Sequence, residues 1–65
     1  MSALTKAQDA VFACNVGLKD KAYEFCYKYA VTVRSAHDHD IIRFDDDTEV
    51  RVYVSEDNDI TIIEA

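Results

Sequence analysis

The apolar positions change period once along the chain, and the change divides it into two kinds of structure. In the first part Ala7, Val11 and Cys14 recur at helical spacing, with Phe12 widening the stripe. Thr5-Lys6-Ala7-Gln8 fits a capping box, in which the Thr5 hydroxyl accepts from the amide three residues on and Gln8 reaches back. Asn15 and Gly17, the only glycine, supply a stop, so the pattern predicts a first helix of about ten residues. Asp20 can cap a second helix, on which Ala22, Phe25, Cys26, Tyr29, Ala30 and Val33 fall on one stripe. Val31-Thr32-Val33 is β-branched and could open a strand, but the apolar spacing runs on and places the helix end near Ala36.

Beyond His37-Asp38-His39-Asp40 the period becomes two: Ile42 and Phe44, then Val50, Val52 and Val54, then Ile60 and Ile62. Asp45-Asp46-Asp47-Thr48 and Ser55-Glu56-Asp57-Asn58-Asp59 are short and rich in turn formers, which suits hairpins. The expected fold is α+β, with two N-terminal helices packed on one face of a three-stranded antiparallel meander (ααβββ). No proline, repeat or linker divides it, so residues 1–65 form one domain. In a meander the turn before the first strand and the turn after the second share one end of the sheet. Asp38, Asp40, Glu56, Asp57 and Asp59 are thereby expected together, with the Asp45 to Glu49 group at the other end.

Length adds a constraint. A chain of 65 residues has a thin core and often recruits a second copy or a partner. The start Met-Ser-Ala-Leu-Thr lacks a basic then apolar leader, and no apolar run reaches the ~20 residues of a membrane span, so the expected location is the cytoplasm, without membrane contact. Two cysteines fall short of a disulfide framework, and Cys14 and Cys26 are expected as free core thiols.

Charge is distributed unevenly. Residues 1–36 hold five Lys or Arg against three Asp or Glu, whereas residues 37–65 hold two against ten. Such an acidic second half repels nucleic acid and anionic lipid, which disfavours direct binding to either. His37 and His39, beside Asp38 and Asp40, offer metal ligands or a pH-sensitive charge, but no third His or Cys stands at ligand spacing, so a solvated loop without metal is expected. The acidic turns lack the sixth-position glycine and twelfth-position glutamate of a calcium loop. With no phosphate loop, serine elbow or Cys-His pairing, no catalytic residues and no cofactor are expected.

What remains is binding. Carboxylates on alternate strand positions stand ~6.6 Å apart, close to successive phosphates, and can imitate a nucleic-acid backbone. Asp38, Asp40, Asp45, Asp46, Asp47, Glu49, Glu56, Asp57 and Asp59 are the candidate contacts with a basic surface of a nucleic-acid-binding protein. Small phage-encoded inhibitors of restriction, CRISPR or transcription machinery work in this way, although no motif here identifies a family. The alternative is a self-associating adaptor or antitoxin-like module, possible as a homodimer. It would use a Tyr23 and Tyr27 ridge or the outer sheet face, with Ile41, Tyr53 and Ile63 as contacts.

Overall fold

The computed structural model describes residues 4–65, so Met1 to Ala3, part of the stretch read for a leader, lie outside the described residues. Its order is α1 (Lys6–Asn15), α2 (Lys19–Lys28), β1 (Thr32–Ser35), β2 (Asp40–Arg43), β3 (Glu49–Val54) and β4 (Ile60–Glu64). The four strands form one antiparallel sheet in sequential order. The α+β class therefore holds, but the meander has four strands instead of three.

The α1 boundaries follow from local chemistry. Thr5 and Gln8 form the reciprocal capping box. At the other end Gly17, at φ +95°, donates to the Cys14 carbonyl while Leu18 donates to Ala13, the paired bonds of a Schellman motif. Leu18 then begins α2 directly: its carbonyl accepts from Ala22, and its apolar side chain supplies no cap. Asp20 is thus not the cap; it sits in the first turn, where a carboxylate complements the helix dipole.

The extra strand is a correction at residues 31–36. Helix α2 stops with Tyr29 as its C-cap, and the chain turns into β1 instead of continuing to Ala36. Val31 donates to the Arg43 carbonyl at 2.7 Å and Ala36 to the His39 carbonyl at 2.8 Å, so β2 supplies the partners. The helical recurrence of Ala30, Val33 and Ala36 gave way because β-branched residues lose rotamer freedom in a helix and fit a pleated strand.

Inward-facing Ile42, Phe44, Val50, Val52, Ile60 and Ile62 pack with Ala7, Ala10, Cys14, Ala22 and Cys26 to form the core. Small residues on both helices let them approach the sheet and each other closely. Helix α1 rests on β3 and β4, and α2 reaches β4, whereas β1 is exposed along its whole length. The two thiols are free and buried.

Two hairpins share one design. Asp47 donates to Phe44 and Asn58 to Ser55, each closing a turn, and both residues adopt a left-handed conformation, at φ 65° and 61°. Glycine takes that conformation without steric cost, and Asn58 has no ion pair to lose. Asn58→Gly is therefore expected to stabilise the fold by about 0.5 kcal/mol, raising Tm by about 2–4 °C. Asn58→Ala should cost about 1 kcal/mol. Thermal melts of the two variants moving in the same direction would remove this account of the turn.

Candidate functional site

The two acidic ends of the sheet are built differently. At the β2–β3 turn the carboxylates serve the fold. Asp46 Oδ2 accepts from the Lys6 amide at 2.8 Å and Thr48 Oγ1 accepts from the Ala7 amide at 3.3 Å, while Thr5 takes the Gln8 amide. The first three free amides of α1 are thereby satisfied, two of them from about forty residues away in sequence. Lys6 Nζ pairs with Asp45 at 2.7 Å and Arg43 with Asp47 at 2.9 Å. Hydrogen bonds from the Lys6 amide, then from Thr48, hold the Asp46 carboxyl below the usual range. That turn is a helix cap, and two of its three aspartates are paired with the chain's own bases.

The opposite end carries the β1–β2 and β3–β4 turns, as the meander requires. Asp59 is paired with Lys19. Asp38 accepts from His39 at 2.7 Å, which holds its carboxyl below the usual range, and the His39 ring stacks on Tyr53 with centroids 4.8 Å apart. Glu56 and Asp57, exposed at the β3–β4 tip, make no ion pair or side-chain hydrogen bond among the described residues. They are the least compensated carboxylates of the sequence-predicted set. Glu49 lies directly opposite Arg43.

Between α2 and the β1–β2 hairpin runs a groove of about 470 Å³, floored by Val52 and Val54, walled by Tyr23 and Tyr27, and rimmed by residues 35–40. The structure thus joins Tyr23 and Tyr27, whose centroids are 4.7 Å apart, to Asp38 and Asp40 in one concavity. Tyr27 donates to Asp40 Oδ2 at 2.5 Å. Burial first, then that hydrogen bond, pushes its phenol far above the ordinary tyrosine range. Stability from this group is complete below about pH 10, the unfolded value, and falls as pH rises from there toward the folded value. Tyr27→Phe should cost about 1–2 kcal/mol at pH 7 and weaken the alkaline decline, as read from urea unfolding at pH 7 and pH 11. Equal stability of the two proteins at pH 7 would show the bond to be energetically idle.

Ile41, Tyr53 and Ile63 lie on the outer sheet face, as the alternation predicts, and do not join the groove. Sequence reasoning missed two features. Phe12, Val16 and Leu18 are exposed near the end of α1 instead of entering the core, and Tyr29, Val31 and Val33 are exposed where the helices leave β1 uncovered. The second could have been found by giving weight to the β-branched triplet; the first had no sequence signal. Among the described residues no group of three or more His, Cys, Asp or Glu side chains is placed to share a metal ion. No described helix is long and apolar enough to cross a membrane.

These features define a small α+β domain with a groove and an uneven charge distribution. Comparison with protein-family models, curated proteins and solved structures finds no match to the chain.

Proposed function

We propose that the chain is a non-catalytic binding protein that docks its groove end onto a basic surface of a nucleic-acid-binding protein and occludes it. The observation that carries this proposal is the uncompensated pair Glu56 and Asp57, on a turn at the same end of the sheet as Asp38. Adjacent strands are about 4.8 Å apart, so two acidic turns separated by two strands stand about 10 Å apart, within reach of one cationic patch. The neighbouring groove suits an arginine or lysine side chain from that patch. It offers tyrosine faces for the cation and the Asp38 and Asp40 carboxylates for its charge. Asp45, Asp46 and Asp47 serve the fold in this scheme, so the docking end is the other one.

The test is capture of partners on the immobilised protein from its native lysate. Captured proteins are expected to bind nucleic acid, to be displaced by added duplex DNA or RNA, and to bind at least ten-fold more weakly as salt rises from about 50 to 200 mM. Glu56→Lys with Asp57→Lys should abolish capture. Partners indifferent to salt and to nucleic acid would refute the proposal.

Self-association through β1 is a second reading, favoured by the exposure of Tyr29, Val31 and Val33 along an unpaired edge. It requires a concentration-dependent dimer in sedimentation that Val33→Lys disrupts.

A further inference from the structure

The outer face of the sheet has a charge pattern opposite to that of the chain as a whole. Residues directly opposite in antiparallel strands share a face. Arg34 pairs with Ile41, Ile41 with Arg51, and Arg51 with Ile63, so one row crosses all four strands as cation, apolar, cation, apolar. Arg43, two residues along β2 from Ile41, shares this face, which therefore holds every arginine of the chain. Arg43 is taken by Asp47 and faces Glu49. Arg34 and Arg51, however, make no ion pair or side-chain hydrogen bond among the described residues, in a chain with 13 Asp and Glu against seven Lys and Arg. Both are exposed, and Ile63 beside Arg51 is 40% exposed. Lys6 and Lys19, by contrast, are both engaged with carboxylates from the turns.

Such a row is poorly suited to a second copy of itself, because it would meet only arginines and isoleucines and the Arg34 and Arg51 charges would be buried without a carboxylate partner. It is suited to an anion with an apolar neighbour. The anion's length is bounded as well. Strands of four to six residues end in turns bearing Asp38, Asp45, Asp46, Asp47, Glu56 and Asp57. A long polyanion laid along the strands would run from the arginines onto those carboxylates, whereas a compact acidic segment would not.

We propose that the outer sheet face is a docking surface for a short acidic peptide segment of a partner protein, seated on Ile41 and Ile63 with its carboxylates on Arg34 and Arg51. The guanidinium groups give bidentate hydrogen bonds to carboxylates, and the two isoleucines give the apolar contact that orients the segment. This surface lies on the opposite side of the sheet from the helices and the groove, so it neither requires nor excludes docking through Glu56 and Asp57.

Selection from a displayed library of random octapeptides provides the test. The enriched peptides are expected to carry acidic residues flanking an apolar one. In fluorescence anisotropy, Arg34→Ala with Arg51→Ala should weaken a selected, labelled peptide more than ten-fold, and Ile41→Ser should weaken it too. Both arginines are exposed, so the double variant keeps its fold, checked by circular dichroism. Glu56→Lys with Asp57→Lys should leave the affinity unchanged, which separates this surface from the acidic end. Enrichment of basic or uncharged peptides, absence of enrichment, or affinity unaffected by loss of the two arginines would overturn the proposal. So would a ten-nucleotide oligouridylate that binds the same arginines and displaces the peptide, since it would assign the face to nucleic acid.

Discussion

Replacing Phe44 with alanine should remove about 3–5 kcal/mol, a large share of the stability of the fold. Phe44 is 1% exposed, stands at the exit of β2, and meets the Phe25 ring with centroids 6.0 Å apart, linking α2 to the sheet. Its amide donates to the Thr48 carbonyl and its carbonyl accepts from Asp47, so the same residue also closes the hairpin that caps α1. Truncating a buried phenylalanine costs about 3–5 kcal/mol, and a domain of this length has about 3–10 kcal/mol in all. The loss should exceed that of any single surface substitution. Phe44→Leu, which leaves a smaller void, should keep the fold at a cost of about 1–2 kcal/mol. Urea unfolding followed by circular dichroism measures both. An alanine variant that loses less than about 1 kcal/mol would mean the helices pack on the sheet without this contact.

The second large effect is chemical. The Cys26 thiol has no solvent exposure, and burial pushes its pKa up to about 11, with the nearby Cys14 adding to the shift. The ordinary value is 9.0. At pH 8 a two-unit rise lowers the thiolate fraction about 100-fold, and steric exclusion lowers reactivity further. In a Cys14→Ser background, alkylation of Cys26 by iodoacetamide should be at least about 100-fold slower in the folded protein than in urea. Native and unfolded rates within ten-fold of each other would show that the thiol is accessible. The linked stability has the sign of a raised acid. It is complete below about pH 9, where both states hold the proton, and declines as pH rises toward 11. Tyr27, which is half-buried, acts in the same direction at higher pH, as do Lys6 and Lys19, whose carboxylate partners raise their pKa, so the alkaline limb of the stability profile draws on all four groups.

Charge on this domain is organised by position more than by sum. One acidic turn is spent on a helix terminus, the other end keeps uncompensated carboxylates beside an aromatic groove, and the arginines gather on the face that the helices leave open. Surfaces of both signs thus stand on one small body. Each can be removed separately by two substitutions.

Several elements could be read directly from the chain because their signals are local. The capping box at Thr5 and Gln8, the stop at Gly17, the last three strands and the inward set Ile42, Phe44, Val50, Val52, Ile60 and Ile62 all depend on neighbours within a few residues. Their alternation also assigned Ile41, Tyr53 and Ile63 to the outer face, and hairpin connectivity alone placed Asp38 and Asp57 at one end. Residues 31–36 fell between two local signals of similar strength, and only the carbonyls of β2 decided them. Once β1 formed, Arg34 moved from an expected helix to the outer row, where pairing with Ile41 gave it a context that no window of sequence contains. The fate of the acidic turn was equally distant: Asp46 caps a helix whose first amide lies 40 residues earlier. Periodicity fixes which side of an element faces the core, because that depends on backbone geometry. Which charges meet depends on how elements separated in sequence are brought together, and folding alone decides that.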